Sequence, residues 1–189
     1  MPRSGAAARA RLREAALDLY RERGYDATTT AEIAARAGVT ERTYFRHFAD
    51  KREVLFDGET ELRDVMVGAI ASAPGEPSPL ALVLNAYTAA IPLFVAGRPV
   101  AERRAALIAA SPALRERAHA KSAMLTEALI HALQERHLTE PVARLAAGAG
   151  AVVFQHAYRA WDGVAAAGLA ALITRATDEL HTLTGSPAA

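Results

Sequence analysis

The 189-residue chain contains no cysteine. Disulfides and thiolate–metal sites are excluded, and a reducing interior is permitted. Aromatic residues make up only 6% of the sequence, and β-branched residues are sparse, which removes the usual material of a β-sheet. No apolar run reaches the ~18 residues of a membrane span. The N-terminus, MPRSGAAARARLREAAL, starts basic but has no apolar signal core, because Arg9, Arg11 and Arg13 interrupt it. Catalytic signatures are missing as well. There is no Gly-x-Ser-x-Gly and no phosphate loop, and GAGAVV lacks both the spacing and the preceding strand of a dinucleotide fingerprint. The histidines at 119, 131, 137, 156 and 181 form no pair at ligand spacing on one face. These absences predict a cytoplasmic protein with no membrane partner, no catalytic residues, no metal and no cofactor.

What is present is helical. The chain is 51% hydrophobic, with alanine dominant, and 23% charged, a globular composition that favours helix throughout. Formal net charge is only +1, but it is unevenly spread. Residues 1–52 hold eleven Lys/Arg against seven Asp/Glu, which leaves eleven against fourteen for the rest. A positive head on a slightly acidic body suggests that the head meets an anion, although a solvated face would look the same.

Periodicity predicts a first helix over 8–23, with Leu12, Ala16, Leu19 and Tyr20 inward and Gly24 ending it. Thr29 and Glu32 form a capping box that opens a second helix, with Ile33, Ala34 and Ala37 inside and Gly38 as the stop. Thr40 caps a third. Asp50 and Glu53 predict another box and a fourth helix from there to residue 71, with a stripe of Leu55, Leu62, Val65, Met66, Ala69 and Ile70. SAPGEPSP, residues 72–79, reads as the linker. Beyond it the pattern predicts a helix over 80–96 bent at Pro92, a break at GRP, and a short helix over 99–110. A helix capped by Ser111 and running to about 137 follows, then one over 140–161, a loop at DGVAAAG, a last helix over 169–183 and a loose tail, TGSPAA.

The third helix carries the chemistry. With Tyr44 at zero and 100° per residue, Phe48 falls at about 40°, while Arg42 and Arg46 fall at about 160° and 200°. Tyr44 and Phe48 therefore point inward. Arg42, Thr43 and Arg46 point outward, with Phe45 on the flank. Two short helices joined by a glycine turn, the second presenting cations, make a helix-turn-helix, and guanidinium forks match guanine O6 and N7. Hydroxyls and free N–H groups at the starts of these helices suit phosphates. Thr29, Thr30, Thr40 and Lys51 are candidates for that role.

The stretch TTTAEIAARAGVTERTYFRHFADKREVL resembles the N-terminal domain of TetR/AcrR-type, tetracycline-repressor-like transcriptional regulators, with the motif match covering about residues 8–55. The resemblance implies an all-α chain of about nine helices: a three-helix DNA-binding head, residues 1–52, and a helical-bundle body for effector binding and dimerisation, residues 53–189. It implies a homodimer on a palindromic double-stranded operator, acting as a repressor released by a small molecule. Carried over, recognition-helix contacts fall on Glu41, Arg42, Thr43, Phe45 and Arg46, and phosphate contacts on Thr29, Thr30, Thr40, His47 and Lys51. One departure matters: the family often has Leu-Tyr where this chain has Tyr44-Phe45, so the outward hydroxyl is missing. Glu41 serves equally well as a charge at a helix N-terminus, and His47 as a cap on the core edge.

In the body, Asn85, Tyr87, Thr88, Gln155 and His156 are polar groups on otherwise apolar helices. With Phe94, Met124, Phe154, Tyr158 and Trp161 they are the candidates to line a site for a small apolar or amphipathic effector. Plain packing is the competing role for the large apolar ones. The small-residue run ARLAAGAGAVVF, through Ala147 and Ala151, predicts a two-fold interface with the last helix through Leu169, Leu172, Ile173, Ala176 and Leu180. A buried helix within one chain is its rival. Two other classes remain: an all-helical binding module that no longer reads DNA, and a helical enzyme.

Overall fold

The computed structural model describes residues 3–183 and 185. Among the described residues it holds nine α-helices and no strand. They are α1 (Arg3–Arg23), α2 (Thr30–Arg36), α3 (Glu41–His47), α4 (Glu59–Ala71), α5 (Pro79–Ala89), α6 (Ile91–Ala110), α7 (Pro112–Glu135), α8 (Glu140–Ala160) and α9 (Ala166–Leu183). No single helix among the described residues is long and apolar enough to cross a membrane. The expected tail lies outside the described residues except for Gly185. The chain divides into two compact units, one of Met1–Glu59 and Pro99–Lys121, the other of Thr60–Arg98 and Ser122–Ala189.

In the first unit, the predicted punctuation of the helices is present. Gly24, at φ 84°, closes α1 with its N–H on the Tyr20 carbonyl at 2.9 Å. Gly38 turns the chain at φ 69° between α2 and α3. The core gathers Leu12, Ala16, Leu19, Tyr20, Ile33, Ala34, Tyr44, Phe48 and Leu55, joined by Leu114 of α7. Burying the leucine, isoleucine and phenylalanine side chains among them stabilises by roughly 1.5–3 kcal/mol each. Thr28, unnoticed in the sequence, is buried with its hydroxyl on the Gly24 carbonyl at 2.9 Å. Ions add to the same unit: Arg103 reaches Glu14 and Asp18, and Arg117 and Lys121 both hold Glu53.

The fourth helix departs from expectation. Asp50 does cap, accepting from the N–H groups of Arg52 and Glu53 at 2.7 and 3.1 Å. What it opens is only a 3-10 turn, Glu53–Phe56. Val54, Leu55 and Phe56 are all buried in succession, a demand that an amphipathic α-helix with one apolar stripe cannot meet. Gly58, at φ 93°, then breaks the backbone, and α4 starts at Glu59.

In the second unit, α8 packs on α9 and on α5. The core runs through Met66, Ile70, Val83, Leu129, Leu133, Ala147, Val153, Leu169 and Ile173. Gly150 permits the α5 approach, since a Cβ there would lie 2.4 Å from Val83 Cγ1. Two expectations for α5 and α6 are corrected. The bend falls at Ala90, with 58° between the two helices, and Pro92 sits in the first turn of α6, where a missing N–H goes unneeded. GRP does not break the chain either. Helix α6 continues through Pro99, which forgoes only the one N–H bond it lacks.

Candidate nucleic-acid interface

The inner side of α3 is sealed. Tyr44 is fully buried, and its hydroxyl donates to the Asp50 carbonyl at 3.0 Å. Its ring meets Phe48 at 5.7 Å between centroids. Burial also holds the Tyr44 phenol well above its usual pKa, so it stays protonated. The hydroxyl displaced from the outer surface by the Tyr44-Phe45 order is therefore spent inside the head.

The outer side is open. Arg42 and Arg46 are exposed, and among the described residues neither guanidinium makes a hydrogen bond or ion pair. Phe45, 52% exposed, stands beside them with its ring edge-on to Tyr44 at 5.6 Å. Neighbouring arginines behave otherwise: Arg23 pairs with Glu32, and Arg36 grips both oxygens of Glu22. Arg9 and Arg11 are also occupied, on Asp57 at 2.6 Å and on the Ala37 carbonyl at 3.1 Å.

The other predicted contacts are tied to the protein. The Thr29 hydroxyl accepts from the Glu32 N–H at 3.2 Å, and Glu32 returns to the Thr29 N–H at 2.9 Å. The Thr30 hydroxyl donates to Glu41 Oε1 at 2.6 Å, linking α2 to α3. Thr40 caps α3 through the Thr43 N–H at 3.2 Å, and the two hydroxyls lie 3.0 Å apart. Lys51 Nζ donates to the carbonyls of Tyr25, Asp26 and Thr28 at 2.9, 3.4 and 3.2 Å and lies over the Tyr25 ring. It staples the α1–α2 loop, a role that sequence spacing did not show. His47 is half-buried, with Nε2 enclosed and unpartnered. Burial, and the charges of Arg46 and Arg9, hold its pKa below the ordinary value, so the ring is neutral at pH 7.

In the second unit the structure brings together five of the ten effector candidates. Tyr87 stacks on Phe154 at 4.2 Å, Phe94 meets Phe154 at 4.6 Å and Tyr158 at 5.8 Å, and Tyr158 meets Trp161 at 5.7 Å. Arg98 covers Tyr158 and Trp161 at 5.1 and 5.2 Å. It was missed, although it lies four residues after Phe94 and so on the same face. The other five are elsewhere. Asn85, Thr88, Gln155 and His156 are exposed, with the Thr88 hydroxyl on the Leu84 carbonyl and His156 Nε2 at 3.2 Å from Glu179 Oε2, and Met124 is 62% exposed.

Of the interface candidates, Ala147, Leu169, Ile173 and Ala176 are buried within the chain itself. Ala151, Leu172 and Leu180 are partly buried. The exposed aliphatic residues of α8 are instead Val142, Leu145 and Val152, at 42%, 75% and 65%.

Residues 12–57 match the family model of bacterial regulatory proteins of the tetR family. The match covers the head alone, and it is this segment that is similar to the tetR family. The TetR-type head thus covers α1 from Leu12, α2, α3 and the 3-10 turn. Among curated proteins, the chain is 34% identical over 76 residues to the HTH-type transcriptional regulator TcmR of Streptomyces glaucescens, covering 40% of this chain and 34% of that one. It is 50% identical over 42 residues to the uncharacterised HTH-type regulator YvkB of Bacillus subtilis (strain 168), covering 22% of each. These matches therefore span 34% and 22% of the curated relatives. Solved structures extend the likeness over nearly the whole chain. A protein from Mesorhizobium loti MAFF303099 assigned to the TetR family is 16% identical with TM-score 0.56, covering 95% of this chain and 97% of that one. SmeT in complex with triclosan is 19% identical with TM-score 0.54, covering 94% and 91%. At such identities the likeness is one of fold. The fold is the one that these two solved proteins share.

Proposed function

We propose that the chain is a homodimeric, DNA-binding transcriptional repressor of the cytoplasm, released by a small apolar or amphipathic effector. The observation that carries this reading is α3: two unpartnered arginines and an exposed phenylalanine stand on a helix anchored by a buried tyrosine, in a TetR-type head. Residues 1–52 would serve as the DNA-binding domain and residues 53–189 as the effector-binding and dimerising one. Helix α3 enters the major groove, with Arg42, Phe45 and Arg46 toward the bases. Thr29, Thr30, Thr40 and Glu41 hold the frame within reach of the backbone.

Two copies would join through the outer face of α8. Val142, Leu145 and Val152 lie there opposite the core, and an exposed aliphatic stripe on a helix that already buries its other side favours a partner. Two-fold symmetry makes the operator palindromic, with half-sites ~35 Å apart or a little more. The aromatic group of Tyr87, Phe94, Phe154, Tyr158 and Trp161 is the place for an effector. SmeT, a neighbour in fold, carries triclosan in its complex. An effector shift of α4 that changes the separation of the heads needs a coupling of about 1–3 kcal/mol.

Selection from a pool of random duplexes tests this reading. Enrichment of an inverted repeat with half-sites about one helical turn apart is expected. A pool that shows no enrichment at low salt contradicts it and leaves a helical binding module whose head no longer reads DNA.

A further inference from the structure

We infer that each operator half-site is built on two guanines, no more than about two base steps apart, beside a thymine methyl. Arg42 and Arg46 read the guanines and Phe45 meets the methyl. This rests on the DNA-binding reading above and adds to it which bases are recognised.

The inference comes from sorting α3's polar groups into occupied and available ones. The Glu41 carboxylate accepts from the Thr30 hydroxyl at 2.6 Å, and the Thr40 and Thr43 hydroxyls bond each other at 3.0 Å. The first contact fixes α3 against α2, the second lies within the N-terminal cap of α3, and both hold these groups to the head. Arg42 and Arg46 are exposed with no hydrogen bond or ion pair among the described residues, and Phe45 is exposed between the inner and outer faces. The helix, ERTYFRH, contains no Asn or Gln.

The groove chemistry then narrows the choice of base. Adenine is read bidentately by Asn or Gln, which α3 lacks. Cytosine's amino group needs a carboxylate, and the one on α3, Glu41, is held through its Oε1 against Thr30 of α2. Guanine's O6 and N7 accept a guanidinium fork, and thymine's methyl accepts an apolar contact. Two forks and one ring remain, so guanine and thymine are the bases this surface can recognise. Arg42 and Arg46 lie four residues apart, about 6 Å along the helix and about 40° around it. At ~3.4 Å per base on a strand, that separation spans about two steps. Phe45 lies about 60° from Arg42 around the helix, which places the methyl on Arg42's side of the pair.

The test uses the enriched duplex and the unaltered full chain. Each guanine is replaced in turn by 7-deazaguanine, which removes N7, and each thymine by uracil, which removes the methyl. Affinity should fall roughly 10-fold at two guanines per half-site and about 4-fold at one neighbouring thymine, as expected for a lost methyl contact. Arg42→Ala should weaken binding roughly 5- to 150-fold and abolish the response to one of the two guanines; Arg46→Ala should do the same for the other. Circular dichroism should show both variants folded, since the side chains are exposed. Specific binding that ignores every 7-deazaguanine overturns the inference and leaves DNA binding standing. So do arginine variants that weaken all sequences equally, which would assign the side chains to the backbone. Absence of any DNA binding overturns both readings together.

Discussion

Helices α3 and α8 each bury one face, and their opposite faces differ in kind. Behind Tyr44 and Phe48, α3 shows water two arginines and a ring. Behind Ala143, Ala147, Gly150, Val153 and Phe154, α8 shows it Val142, Leu145 and Val152. The buried faces do the same work in both helices and say only that each belongs to a core. The outer faces state the partner: guanidinium groups left without carboxylates suit an anion, while aliphatic side chains left without neighbours suit another apolar surface. A stretch of sequence therefore becomes informative about function at the residues its own fold does not use.

Adjacent residues break or sharpen that contrast most strongly. Tyr44→Ala should destabilise the chain by about 3–5 kcal/mol in denaturant unfolding, the cost of emptying a buried aromatic site. Phe45→Ala, one position along, should change stability by under about 0.5 kcal/mol while weakening operator binding. Equal losses of stability would erase the distinction between the faces. On α8, Leu145→Glu combined with Val152→Glu should shift the mass in analytical ultracentrifugation from dimer to monomer, at a cost to association of about 2 kcal/mol or more, with helix content unchanged. A dimer that persists would move the interface elsewhere. Lys51→Met should lower stability by about 1–3 kcal/mol, because three loop carbonyls lose their donor. A change in DNA affinity alone would make Lys51 a phosphate contact instead.

The smallest expected effect is that of pH at His47. Its folded pKa is depressed by burial and by Arg46 and Arg9, with Asp57 opposing. The folded state therefore binds a proton less readily than the unfolded chain. This contribution is fully present above the ordinary value of 6.5 and is lost as pH falls from there toward the depressed value. His47→Gln should flatten the stability profile in that window. A variant whose profile stays as steep as the parent's would show that other groups govern it.

Much of the head was legible because its signals are local. The Thr29–Glu32 box, the Thr40 cap and the glycines at 24 and 38 act on residues three or four positions away. The direction of Tyr44 and Arg46 follows from 100° steps alone. What escaped was set at longer range. Lys51 bonds carbonyls more than twenty residues earlier, and the 3-10 turn exists because three successive side chains must all enter one core. In the body, 100° steps separate the helix faces in the same way. Asn85 lies about 160° from Tyr87 and Leu145 about 180° from Phe154, which puts the first outside the aromatic group and the second on the outer face. The small residues of α8 were legible as a close-packing signal, but whether the close neighbour was α5, α9 or a second copy depends on contacts far apart in the chain.

Salt dependence of operator binding tests the central claim most directly, because it counts phosphates without regard to sequence. A dimer that neutralises about eight phosphates should lose affinity with a log–log slope near about −7. Failure to bind any duplex at low salt, or an affinity that does not change with salt, would contradict the account.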